Sequence, residues 1–213
     1  MEFINLGFLE STELFFEKSQ AFAPEFKPAD LFQAVRNVWI MNCLQLLFHN
    51  PVYLTSSVFS YSLLYPYTDN FLDDPKTSRK EKTAFNHMIY QKILGNPVSA
   101  LTPYEAKVCA LLDNIEKEFP RKKYPSVYES LWYIQDAQAK SMLQGRNEVD
   151  PQELLHLSFY KGGASVLADA FLVKGNLTAN ESAFAFGYGT FLQLLDDLQD
   201  RIEDASMNHQ TLY

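Results

Sequence analysis

The chain has 213 residues, 47% of them apolar, and a formal net charge of −8. That length and apolar content suit one domain, 1–213, with a substantial buried core. The negative balance argues against nucleic acid, whose binders gather positive charge. Cys43 and Cys109 show no metal or redox spacing and read as buried free thiols. The N-terminus carries Glu2 and Glu10 rather than a basic leader, and no apolar run reaches the ~18 residues of a transmembrane helix. A cytoplasmic setting without a transmembrane segment is the expectation.

Helical signals run through the chain. Residues 1–28 are aromatic-rich, with Phe8, Phe15, Phe16, Phe22 and Phe26, and predict a short helix with a leading loop. Residues 30–49 form a long apolar helix that Asn50-Pro51 breaks. Residues 52–74 follow, with Pro66 expected to kink them, and Pro75 closes that helix ahead of the basic stretch 76–80. Residues 78–94 are amphipathic and stop at Gly95-Asn96-Pro97. Capping boxes then stand at Thr102/Glu105, Ser126/Glu129 and Thr178/Glu181, and Asp150-Pro151-Gln152-Glu153 has the same character. They predict helices to about Phe119, to about Gln144, over 151–173 with Gly162-Gly163 in the middle, and from 179 onward. Four start signals and no sustained period-2 alternation predict an all-α bundle without a sheet.

Two acidic stretches carry the chemistry. In the last predicted helix Asp196, Asp197, Asp200, Glu203 and Asp204 crowd together, and Asp196, Asp200, Glu203 and Asp204 share one helical face. Arg201 is the single cation among them. Like charges at i+4 repel, so an acidic face without interleaved Lys or Arg calls for an outside cation, and all-oxygen donors suit Mg²⁺. Upstream, Asp69 and Asp73 are again one turn apart and Asp74 follows. Two such helices facing each other would hold divalent ions and a polyphosphate between them.

Gly189, Gln193, Asp196, Asp197 and Asp200 fill every specified position of Gly-x-x-x-Gln-x-x-Asp-Asp-x-x-Asp. This resembles the second motif of the trans-prenyl diphosphate synthases. The continuation Glu203-Asp204 is similar to the squalene/phytoene synthase version. Leu194-Leu195-Asp196 resembles the opening of the motif in large terpene synthases of the tetraprenyl-β-curcumene synthase type. At the first stretch, Asp69 and Asp73 match the Asp-x-x-x-Asp of head-to-head condensing enzymes, and Tyr67 to Asn70 resembles the large terpene synthases, with Pro66 in place of their leading Asp.

The resemblance to class I isoprenoid synthases implies an antiparallel helical bundle around a central cavity, with further helices beyond Tyr213. It implies about three Mg²⁺ held by Asp69, Asp73, Asp74, Asp196, Asp197, Asp200, Glu203 and Asp204. It also implies a prenyl diphosphate substrate, with a homodimer as one assembly open to the chain. Ionisation would release pyrophosphate. The allylic cation would then cyclise, as in a terpene synthase, or alkylate a second prenyl unit, as in a head-to-head or chain-elongating prenyltransferase.

A diphosphate clamp normally adds cationic side chains to metal. Lys161 lies in an apolar helix beside Gly162-Gly163 and resembles the Lys-Thr pair at a helix break in the prenyl synthases. Each interior glycine costs ~1 kcal/mol relative to Ala, so a break or a close backbone approach is expected there; a packing kink with Lys161 at the surface is the plainer reading. Arg79 and Lys80 stand at the offset of a diphosphate-binding arginine pair, or form a solvated charge run. Gln138 and Lys140 resemble the Leu-Gln-x-Tyr-Lys helix of the large terpene synthases. Gln193 joins as the motif's amide, and Arg201 would reach diphosphate or pair with Glu203 or Asp204. Phe59, Tyr61, Tyr65 and Phe186 lie one to three turns before the motifs, where they would line a prenyl pocket or make core.

Two other classes compete. A di-iron carboxylate bundle needs two Glu-x-x-His motifs plus two further Glu, and only Glu153-Leu154-Leu155-His156 exists. A non-catalytic helical protein would solvate its acidic faces with interleaved cations, which the last helix mostly lacks.

Overall fold

The computed structural model describes residues 7–144 and 150–206, and their side chains except at 73, 141–144, 151 and 200–206. Asp73, Asp200, Arg201, Glu203 and Asp204, all expected at the site, therefore have side chains outside the described set. The described residues form eight α-helices and no strand. In order they are α1 (Phe8–Phe22), α2 (Pro28–Leu47), α3 (Ser56–Asp73), α4 (Arg79–Ile93), α5 (Pro103–Glu118), α6 (Pro125–Gln144), α7 (Pro151–Lys174) and α8 (Ala179–Ser206). Among the described residues no helix is long and apolar enough to cross a membrane.

Capping chemistry sets most of these boundaries. Thr55 Oγ1 accepts from the Val58 N–H at the start of α3, and Ser78/Glu81, Thr102/Glu105 and Thr178/Glu181 make reciprocal boxes at α4, α5 and α8. One expected start is corrected, and another stands in place without its expected capping bond. Pro125 is the first residue of α6, so Ser126 lies inside the first turn and is not its cap. Asp150 sits at the N-cap of α7 without a side-chain capping bond; Pro151 there has no N–H to satisfy. Gly175 ends α7 at φ 80°, and its N–H reaches back to the Phe171 carbonyl.

Helix α3 is the central element and packs on α2, α5 and α7. Its Ser57, Ser60 and Ser62 are fully buried, and such small side chains let neighbouring helices come close. Pro66 does not end the helix. Around it, the Thr68 hydroxyl donates to the Tyr65 carbonyl and the Tyr104 hydroxyl to the Tyr67 carbonyl. Tyr67 is itself fully buried, and its hydroxyl donates to Glu25 Oε1 at 2.6 Å, where Lys107 also binds at 2.7 Å. The loop after α1 is thereby tied to α3 and α5.

The main core fills the space among α1 to α7, with Phe15, Tyr67, Phe85, Leu111 and Ile115 at its centre. A smaller core, Leu44, Val166, Ala170 and Ala185, joins α2, α7 and α8. Its residues are mostly small because α7 and α8 nearly touch. A Cβ added at Gly189 would lie 2.1 Å from the Gly162 carbonyl oxygen, and one at Gly162 would lie 2.6 Å from that of Gly189. The ring of Phe186 occupies the space a Cβ on Gly163 would need, at 2.5 Å. Helix α7 runs unbroken through Gly162 and Gly163. Of the two expectations for these glycines, the close approach is the one realised; the helix break is not.

This contact separates two substitutions on one helix. Gly189→Ala should lose about 1–3 kcal/mol in urea denaturation, because the methyl meets backbone that cannot step aside. Gly187→Ala meets nothing within 4 Å and should gain up to about 1 kcal/mol from helix propensity. Equal effects at both positions would show that α7 and α8 are not locked at Gly162.

Candidate functional site

Helix α2 supplies the link between the two acidic helices. Gln33 and Arg36 stand one turn apart on it. Gln33 Nε2 donates to Asp69 Oδ2 on α3 at 3.2 Å, and Arg36 Nη2 pairs with Asp196 Oδ1 on α8 at 3.2 Å. Between them, Tyr65 on α3 feels both carboxylates. Burial raises its hydroxyl well above the usual tyrosine range, Asp69 and Asp196 raise it further by their charge, and the nearby Arg36 lowers it only in part. One residue from each acidic motif is thus gathered around a single tyrosine.

Gln33, Arg36, Tyr65 and Asp196 line a groove of about 710 Å³ that is open to solvent. Its walls are Phe32, Val35, Trp39 and Ile40 of α2 and Tyr188, Leu192 and Leu195 of α8; Gly162, Ser165 and Val166 of α7 form the floor. The missing side chain at Gly162 therefore does two things: it admits α8, and it leaves depth between the walls. The groove combines an apolar trough with a polar part bearing Asp196, Gln33 and Arg36, with Asp69 bonded behind Gln33, the arrangement an amphiphile with an anionic head would need if the carboxylates carried a cation.

The other expected site residues fall in several places. Asp197 turns from the groove into the α7–α8 interface, where it is buried; Gln193 Nε2 donates to its Oδ1 at 2.7 Å, and its Oδ2 has no partner. Gln193 also lines the groove. Asp74 caps the turn after α3, accepting from the Lys76 N–H at 2.9 Å. Lys161 is half-buried on α7, outside the groove lining. Arg79 opens α4 on the surface, beside Lys80, Thr83 and His87 in a separate shallow depression. Gln138 is buried, and Lys140 pairs with Asp136 at 2.7 Å.

Of the four aromatics expected to line a pocket, only Tyr65 does so. Phe59 is core, against Phe15 and Phe22; Tyr61 is buried; and Phe186 covers Gly163. Glu153 and His156, the one Glu-x-x-His pair, are both exposed, which removes the basis for an inward di-iron site. Among the described residues no cluster of three or more His, Cys, Asp or Glu stands close enough to ligate one ion.

Sequence reasoning missed Gln33, Arg36 and Asn37, although the signal was present. Three polar side chains at i, i+3 and i+4 interrupt the mostly apolar first half of the helix, a pattern that marks one polar face. It also missed Asp169. This α7 residue is fully buried, accepts from Asn37 Nδ2 at 3.1 Å through Oδ1, and leaves Oδ2 without a partner. Burial pushes its carboxyl up to about 8, against a small opposing effect of the Asn37 hydrogen bond. Tyr61, packed nearby, is raised by burial and then by Asp169. No family model, curated protein or solved structure matches this chain.

The buried acid has a defined linkage to stability. Its folded pKa of about 8 lies above the unfolded value of about 4. Through that window the folded chain keeps a proton that the unfolded chain releases, so this contribution is full below pH 4 and declines as pH rises to 8. The slope is at most about 1.4 kcal/mol per pH unit. Asp169→Asn should remove it, and the stability difference between variant and wild type should move in favour of the variant from pH 5 to pH 8. Parallel stability curves would show that Asp169 does not hold the proton.

Proposed function

We propose that this chain is a Mg²⁺-dependent class I isoprenoid synthase that ionises a prenyl diphosphate. The observation that carries the reading is the apolar groove whose polar residues Gln33, Arg36 and Asp196 include one carboxylate of the second acidic motif, with Asp69 of the first motif held behind the lining by its hydrogen bond from Gln33. The motif resemblance at Gly189 to Asp200 supports the same chemistry. Mg²⁺ prefers oxygen donors, retains several waters and is commonly bound by one or two protein carboxylates together with substrate phosphates. Asp69 and Asp196 fit that requirement by donor type, and Asp73, Asp200, Glu203 and Asp204 lie on the same two helices. Bound there, the metal would supply positive charge to the leaving diphosphate.

The chain's own residues have separable tasks in this reading. Gln33 orients Asp69. The Arg36–Asp196 pair is largely exposed, 74% and 44% by side chain, and such pairs are worth about 0.2–1 kcal/mol. Arg36 can therefore exchange Asp196 for a diphosphate oxygen at little cost. The walls of α2 and α8 hold the prenyl chain and shed water from the carbon that becomes cationic. The C–O bond breaks with its electron pair leaving on diphosphate, and the allylic cation then either cyclises or is attacked by a second prenyl double bond; in both branches the resulting cation loses a proton to give the product. Lys161, outside the groove lining, is a reserve cation here and Arg36 the first.

Incubation with C10 to C35 prenyl diphosphates and Mg²⁺, followed by pyrophosphate and extracted product, tests this. We expect Asp69→Asn and Asp196→Asn each to cut pyrophosphate release by at least about a hundred-fold, and Arg36→Ala by roughly ten-fold. A cyclic hydrocarbon assigns the terpene synthase branch; a longer product formed with a second prenyl diphosphate assigns the transferase branch. No release from any substrate would overturn the catalytic reading.

A further inference from the structure

Beneath the groove lies a polar cluster that the proposed ionisation does not use. Asn37 on α2 lines the groove. Its amide nitrogen has two N–H groups, and both go inward: one to Ser62 Oγ on α3 at 3.2 Å, the other to Asp169 Oδ1 on α7 at 3.1 Å. Ser62 and Asp169 are fully buried. The Ser62 hydroxyl in turn donates toward Met41 Sδ at 3.9 Å. An amide held by both N–H groups on its buried side has its carbonyl oxygen left on the other. Among the described residues Asn37 Oδ1 has no partner, and it is not among the buried unpartnered atoms, so it faces the open space that Asn37 borders, which is the groove.

The groove that this oxygen borders is lined by Ile40 one turn along α2 and by Val166 on α7, with Gln33 and Arg36 toward its polar part. A fixed carbonyl dipole with its negative end on the trough favours a positive or donor-bearing group there, and a bound chain that displaces water from the groove strengthens that interaction by lowering the local dielectric. A carboxylate in the same place would collapse onto a cation or bind metal; an amide held at its nitrogen does neither.

We propose that Asn37 presents its amide oxygen to the bound chain as the acceptor that selects for positive charge part-way along the groove, with Asp169 and Ser62 as the positioning residues that fix its orientation. This deepens the isoprenoid synthase reading and rests on it for the identity of the ligand. In that setting the oxygen steadies charge on the ionised chain away from the leaving group.

The test is equilibrium binding rather than turnover. Two probes are compared by calorimetry: a prenyl alcohol, and the tertiary amine in which nitrogen replaces one carbon of the same chain, protonated at neutral pH. Wild type should bind the amine roughly ten-fold more tightly than the alcohol, as expected for a hydrogen bond to a charged group. Asn37→Leu should reduce that ratio to about two-fold, the remainder coming from Asp69 and Asp196, while alcohol binding stays within about two-fold. Asn37→Leu alone leaves Asp169 without its donor and could unfold the chain. The paired variant Asn37→Leu/Asp169→Leu replaces both partners by apolar groups and should show the same lost preference with alcohol binding intact. An unchanged amine-to-alcohol ratio in either folded variant overturns the proposal, and so does failure of wild type to bind either probe. Pyrophosphate release is scored separately. Amine selection through Asn37 without turnover would sink the synthase reading alone; turnover with an unaltered ratio would sink this inference alone.

Discussion

The backbone contact between Gly162 and Gly189 governs the functional end of the molecule. Two helices can approach this closely only where neither carries a side chain, and here each glycine occupies the space the other's Cβ would need. That contact sets the rotation of α8 as well as its distance from α7. With Gly189, Gln193 and Asp197 turned toward α7, the helical repeat puts Leu192, Leu195, Asp196 and Gln199 on the adjoining face. Those four line the groove. Which carboxylate of the Asp196-Asp197 pair faces the groove and which is buried follows from where a methyl group is missing.

Charge balance explains why α2 lies where it does. Helix α8 has acids and only Arg201 to offset them within its own acidic run, and α3 ends in further acids. Gln33 and Arg36 bring a donor and a cation from a third helix to each in turn. The Arg36–Asp196 pair is exposed and of modest stability, and the Gln33–Asp69 hydrogen bond is partly buried, so the charged part of the groove is held together without being locked. A site whose carboxylates must exchange partners when a charged ligand arrives is better served by such pairs than by a buried ion pair, whose disruption leaves an uncompensated charge.

Below this end the chemistry changes sign. Asp169 has no cation beside it; burial holds it neutral and Asn37 provides its donor. The charged groups stay at the rim of the groove and the neutral polar groups lie under its floor. That arrangement lets an apolar trough contain polar atoms without drawing in ions, because a buried carboxylate that cannot keep its charge holds a proton instead.

Local chemistry made the helices legible in the sequence. Thr102/Glu105 and Thr178/Glu181 are capping boxes as read, since a hydroxyl and a carboxylate three residues apart satisfy two N–H groups wherever a helix begins. The all-α class followed from such signals and from the absence of period-2 alternation. The acidic pairs could be found as well, because charge without nearby compensation is visible in one dimension. Tertiary structure alone decided the rest. Ser126 matched a box but lost its place to Pro125, whose fixed φ and missing N–H suit the first turn. Phe59 and Tyr61 had the right spacing for a pocket, yet their helix faces point to the core. Gln33, Arg36 and Asn37 matter because α2 crosses between α3 and α8, and Asp169 matters because α7 buries it under that crossing. A spacing rule reports which residues share a face of one helix; which face meets which neighbour depends on how all the helices close-pack, and no single segment contains that information.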